Sequence, residues 1–188
     1  ILTANAHNLW WLLKPNEIDY PDTGAVFPNE LPWLSYRILS LALFGFFYVL
    51  ACFKLWRAPN SRAWLLAAFA AFAFFILPTE IHENYGFAAL ALLAIAIPNS
   101  PRRLALIFAV LTLTMVLNYA LSDPGVFARL GVSNPDVQLA GMRYANSVLA
   151  VLLFIVWAVY EFVLPLSVRG MEQGQARARD GTLPVQAK

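Results

Sequence analysis

The chain has 188 residues, 60% of them hydrophobic and 13% charged, and a mean hydropathy of +0.62. Soluble domains run near half apolar and about a quarter charged, so this balance excludes an ordinary water-soluble globule and points to a membrane protein. A net charge of +2, with the basic residues at the ends of apolar runs and not in a patch, excludes nucleic acid as a partner, and the single cysteine, Cys52, excludes an intrachain disulfide.

The chain opens on Ile1 without the basic-then-apolar layout of a signal peptide, and the expectation is a chain that has lost an N-terminal part. Residues 1–13 read ILTANAHNLWWLL. Asn5 and Asn8 are three apart and share a face if the segment is helical, with His7 on a different face. Two compatible readings follow. One is the end of a membrane helix with Trp10 and Trp11 in the interfacial aromatic belt; the other is a polar, sugar-sized groove lined by Asn5, Asn8 and the tryptophan pair. Residues 14–33 carry four prolines, Gly24 and the acids Glu17, Asp19, Asp22 and Glu30, a composition that cannot continue a helix in lipid. They read as an aqueous outer loop whose acids are solvated.

Residues 34–56 supply the roughly 20 apolar residues that crossing a bilayer needs, with Arg37 near one end and Lys54 near the other, where long basic side chains snorkel to the interface. Lys54, Arg57 and Arg62 then cluster around a short connection, which the positive-inside rule places in the cytoplasm. Residues 64–77 and 86–97 are apolar but short and flank a polar stretch at 78–85. One interrupted helix over 64–97 would be too long for a bilayer at about 1.5 Å per residue, so a hairpin of two short helices is expected. The paired arginines Arg102 and Arg103 mark a second cytoplasmic turn. Residues 104–121 cross outward, 122–142 form a polar loop, 144–166 cross back, and 167–188 read as a disordered cytoplasmic tail. The expected fold is all-α: a polytopic transmembrane helical bundle over 34–166 with about five membrane segments, the short-helix hairpin among them. Its sidedness brings residues 1–32, the 78–85 turn and the 122–142 loop to one non-cytoplasmic face.

The stretch Leu77-Pro78-Thr79-Glu80-Ile81-His82-Glu83-Asn84-Tyr85 carries the chemistry, because ionisable groups at membrane depth normally face a cavity, a partner or water. On a helix Glu80 and Glu83 project together one turn apart, and His82 points away from them. Two adjacent carboxylates split their pKa values, and an imidazole donates a hydrogen bond or a charge to a phosphate. The bland reading has the acids capping a helix N-terminus and favouring its dipole. EIHE lacks the i, i+4 pair of a helical metal site, and no metal or other cofactor is expected.

Residues 78–85 resemble the P-x-x-x-H-E-[RK]-Y-type motif in late transmembrane segments of the GT-C superfamily of glycosyltransferases, polytopic enzymes that take sugars from polyprenyl-phosphate donors. Residues 3–11, TANAHNLWW, resemble the N-A-x-N-x-W-W stretch that precedes it in bacterial members. The resemblance covers most of residues 1–166 and implies the C-terminal half of such an enzyme, in the bacterial inner membrane with its site facing the periplasm or exterior. Its implied partners are membrane lipid, the polyprenyl-phosphate-linked donor and the missing N-terminal half. It implies substrate contacts at Glu80, His82, Glu83, Tyr85, Asn5, Asn8, Trp11 and Lys14, and inverting transfer by a base that lies in an outer loop upstream. Asn84 stands where the family usually has Arg or Lys, and Lys14 is the substitute cation on this reading. The competing classes are a transporter fragment, disfavoured by the lack of an internal repeat, and a non-catalytic membrane subunit packing through small residues such as Ala67 and Ala71.

Overall fold

The computed structural model describes residues 6–14, 20–57, 63–97 and 102–163. Asn5, Arg62 and the tail at 167–188 lie outside the described residues. The chain divides at residue 154 into two units, Ile1–Phe154 and Ile155–Lys188. The described part of the second is the last turn of a long helix and the π-helical turn Val159–Val163 that follows it.

The first unit is mostly helical. After the single-turn helix α1 (Leu9–Leu13) come two short strands, β1 (Ala25–Phe27) and β2 (Leu31–Ser35), and then α2 (Tyr36–Arg57), α3 (Ala63–Ile76), α4 (Phe87–Ala96), α5 (Arg102–Ala120), α6 (Pro124–Leu130), α7 (Pro135–Gln138) and α8 (Ala140–Ala158). Helix α2 begins where the Ser35 hydroxyl accepts the Ile38 amide at 3.2 Å, an N-cap bond, and ends with Lys54 and Arg57 in the turn where exposed carbonyls favour cations. Helix α6 is bounded as strictly. Asp123 caps the amides of Gly125 and Val126, Pro124 fills the first turn, and Gly131 leaves the helix at φ 68°, a left-handed conformation suited to glycine.

Two helices are long and apolar enough to cross a membrane, Tyr36–Arg57 with 22 residues and Ala140–Val163 with 24. A third counts if Leu104–Ala120 and Pro124–Leu130, bent by 78° at their junction, form one broken span. Helices α3 and α4 are shorter, 14 and 10 residues, and pack side by side. Their close approach to α5 depends on Gly86, where an added Cβ would run into the Met115 thioether and press on the Phe75 ring. Phe69 and Phe154 stack at 5.4 Å, with Phe47 edge-on to Phe154 at 5.0 Å, so large rings fill the interior between α2, α3 and α8.

Three local readings of the sequence change. Residues 6–8 are not helical, and α1 starts at Leu9 because the Asn8 side chain accepts the amides of Trp10 and Trp11; the segment is a capped, buried turn and not the end of a longer helix. Part of the outer loop is an antiparallel hairpin with Phe27 opposite Leu31 and Ala25 opposite Ser35. Residues 77–86 contain no helix, so the helical spacing of Glu80 and Glu83 does not hold, and α4 has Gly86 at its N-cap with no acidic side chain capping it. Glu80 itself sits at φ 60°, a conformation uncommon for a residue with a side chain.

Candidate functional site

The start of α2, the end of α3, the start of α4, the end of α5 and the start of α8 meet at one end of the first unit, and the N-terminal segment is plugged among them. Trp10, fully buried, donates its indole N–H to the Leu77 carbonyl at 2.5 Å, and the Asn8 amide donates to the Pro78 carbonyl at 3.5 Å. The His7 amide donates to Asn118 Oδ1 at 2.6 Å, while Asn118 Nδ2 donates to the Glu83 carbonyl at 3.2 Å. Asn118 therefore ties the N-terminal segment to the 77–86 turn from within an apolar helix. Asn146 of α8 completes the polar interior, donating to the Thr114 carbonyl and lying 3.1 Å from His7 Nδ1. That contact makes Nδ1 the acceptor and the ring neutral. Burial, with the Arg143 charge as a second cause, lowers the His7 pKa to about 3.

On the solvent side of this plug, Asp22 and Arg37 form a two-bonded ion pair, Nε to Oδ2 at 2.7 Å and Nη2 to Oδ1 at 3.1 Å. The Thr79 hydroxyl also donates to Asp22 Oδ2 at 2.9 Å, and Arg37 Nη2 reaches Glu80 Oε1 at 2.9 Å. The Asp22 side chain is only 3% exposed against 47% for Arg37 and 56% for Glu80. Burial alone would raise the Asp22 carboxyl; hydrogen bonds from Arg37 and Thr79 and the Arg37 charge outweigh it and hold the group below its usual value. The left-handed Glu80 backbone thus belongs to a turn clamped from two sides, through its carbonyls by Trp10 and Asn8 and through its side chains by Asp22 and Arg37.

Among the sequence-predicted site residues, Glu80 joins the Asp22–Arg37 network. His82 is exposed and meets Tyr85 edge-on at 5.7 Å, and Tyr85, 43% exposed, stacks with Phe74. Glu83 lines a cleft of about 270 Å³ with Tyr119, Ser122, Asp123 and Pro124. The Lys14 ammonium lies over the Tyr20 ring, 4.6 Å from its centre. Asn8 and Trp11 are 0% and 1% exposed, so neither presents an open groove wall: Asn8 holds the turn from inside, and Trp11 packs against His7 and Arg143. Asp22, Arg37 and Asn118 were not expected at the site. Asn118 had a readable signal, an amide inside an apolar helix, whereas the Asp22 side chain carried nothing to set it apart from the other acids of its loop.

What these elements define is a mostly helical, membrane-type chain with one polar end, built around a clamped turn bearing two carboxylates and an imidazole. The chain matches no protein-family model, no curated protein and no solved structure. Among the described residues no group of three or more His, Cys, Asp or Glu is placed to hold a metal ion.

Proposed function

We propose that the chain is the C-terminal part of an integral-membrane glycosyltransferase of the GT-C type, which moves a sugar from a polyprenyl-phosphate donor at the outer face of a bacterial inner membrane. In the proposed arrangement α3 and α4 complete five membrane segments with α2, α5 and α8, and α6 belongs to the outer 122–142 loop. The observation that supports the reading best is the meeting of the His82-Glu83 turn, the N-terminal Asn8-Trp11 segment and the 122–142 loop at one end of the first unit, with Glu83 on a cleft there. That cleft approaches the lower end of small-molecule site volumes, about 300 Å³.

Within this reading the acceptor hydroxyl oxygen attacks the anomeric carbon, the bond from that carbon to the phosphate oxygen breaks, and the phosphate leaves with the electron pair. A carboxylate upstream of this chain takes the acceptor proton. His82, exposed beside Tyr85, contacts the donor phosphate, and Glu83 contacts the sugar in the cleft. Asn8 acts on the substrate only through the turn that it holds, and Trp11 only through the buried packing around His7. The test is turnover of polyprenyl-phosphate sugars by the full-length protein carrying His82→Ala or Glu83→Ala. A loss of about 10²-fold or more is expected if either group positions the reacting phosphate. Undiminished turnover in both variants removes the turn from the site, and a full-length protein without transferase activity leaves the non-catalytic subunit as the better reading.

A further inference from the structure

The β1–β2 hairpin has two unlike faces. Phe27 pairs directly with Leu31, so the two share a face; beyond them the register shifts before Ala25 meets Ser35, and Trp33 lies in that irregular stretch of β2, where residues 31–33 are exposed in succession. All three are exposed, Phe27 by 50%, Leu31 by 37% and Trp33 by 65%. On the other face Val26 packs against the buried pair Trp10 and Tyr36. The exposed side of the hairpin therefore carries three large apolar side chains, with Glu30 exposed in the turn between the strands, where an ordinary solvated hairpin face would be polar.

Its position relative to α2 says what covers it. The Tyr36 amide donates to the Gly24 carbonyl at 3.1 Å and the Arg37 amide to the Asp22 carbonyl at 2.9 Å, so the hairpin is pinned against the first residues of the helix and does not project away from it. Helix α2 has 22 residues, about 33 Å at 1.5 Å each. The hydrocarbon core is about 30 Å thick and the whole bilayer about 40–45 Å, which leaves about 5–7 Å of headgroup zone on each side. With α2 across the membrane, Tyr36 already stands in that zone. Trp33 is three residues away and at most about 10 Å along the strand. The headgroup boundary is where Trp is enriched and where a partly wet apolar face is stable.

We propose that the hairpin is an interfacial anchor: Phe27, Leu31 and Trp33 lie in the headgroup boundary of the bilayer beside α2 and hold the Asp22–Arg37–Glu80 network at the membrane surface. The proposal rests on the membrane part of the reading above and is independent of glycosyl transfer. It is tested on the full chain carrying Cys52→Ser, with a nitroxide on single cysteines introduced as Phe27→Cys and Trp33→Cys. Phe46→Cys in mid-α2 is the hydrocarbon reference and Ser133→Cys in the exposed α6–α7 loop the aqueous one; all four positions are exposed and tolerate the label.

In vesicles of phosphatidylcholine and phosphatidylglycerol, collision with dissolved oxygen is compared with collision with a water-soluble nickel chelate. The labels at 27 and 33 are expected to give an oxygen-to-nickel ratio several-fold above that at 133 and below that at 46. If 46 reports hydrocarbon while 27 and 33 match 133, the anchor is refuted and the membrane reading stands. If 46 itself matches 133, both fall. Immobilised labels at 27 and 33 that meet neither reagent mean that protein covers the face, a second copy or another chain, and this too overturns the proposal.

Discussion

Removing the more exposed partner of the Asp22–Arg37 pair should cost more than removing the buried one. Arg37→Ala leaves a carboxylate that is 3% exposed without its counter-charge and both guanidinium hydrogen bonds, with the Thr79 hydroxyl still donating to it; loss of one partner from a fully buried pair costs about 3–5 kcal/mol, and the low end of that range is expected here. Asp22→Ala leaves a guanidinium that is 47% exposed and still 2.9 Å from Glu80. Water and Glu80 resolvate it, so the cost is near the value of a charged hydrogen bond, about 1.5–3 kcal/mol. Asp22→Asn combined with Arg37→Gln, which leaves no stranded charge, should fall below Arg37→Ala alone. The Arg37–Glu80 contact is exposed on both sides and is worth at most about 1 kcal/mol, so Glu80→Gln is nearly silent.

The measurement is reversible unfolding of each variant in detergent micelles at neutral pH, repeated on acidification. Because the folded Asp22 pKa lies below its ordinary value, its contribution is fully present above that value, 3.8, and is lost as pH falls through the lower folded one. Asp22→Asn should remove that part of the acid slope. Asp123, whose carboxyl the Gly125 amide and the Tyr119 hydroxyl also hold below its usual value, keeps the rest of that slope; if Asp22→Ala proves as costly as Arg37→Ala, or Asp22→Asn leaves the slope below 3.8 undiminished, the burial argument fails.

His7 gives a separate and higher pH window. With its pKa lowered from 6.5 to about 3, the unfolded chain binds a proton that the folded chain refuses, so stability falls as pH drops from 6.5 towards 3; unfolding of His7→Phe should lack this slope while keeping the one below it. Gly86→Ala pushes a methyl group into Met115 and Phe75 and should cost about 1–3 kcal/mol, most of it recovered when Met115→Ala makes room, as a double-mutant cycle in the same micelles will show. Trp10→Phe keeps an aromatic ring but removes the pyrrole half of the indole with its N–H donor to the Leu77 carbonyl; a buried carbonyl left alone costs about 1–3 kcal/mol and the vacated volume at this fully buried position adds to it, so the unfolding midpoint should fall and hydrogen exchange across residues 77–86 should quicken.

Composition and hydropathy alone determined the membrane class, the order of the apolar helices, the shortness of α3 and α4 and the polar turn between them, because each follows from how a segment of one chain partitions between water and hydrocarbon. Alternation of basic connections also indicated which segments share an end, and the bonds from Trp10 to Leu77 and from Asn118 to Glu83 lie at such a shared end. Only the tertiary structure decided what that end is made of. Thr79 meets Asp22 across 57 residues, and His7 meets Asn118 across 111. The same packing closed Asn8 and Trp11 off from solvent, set Glu80 into a left-handed backbone and gave the proline-rich loop a hairpin. Pairings of this kind leave no local pattern, since an acid in a loop and an arginine at a helix start look the same whether they face water or each other.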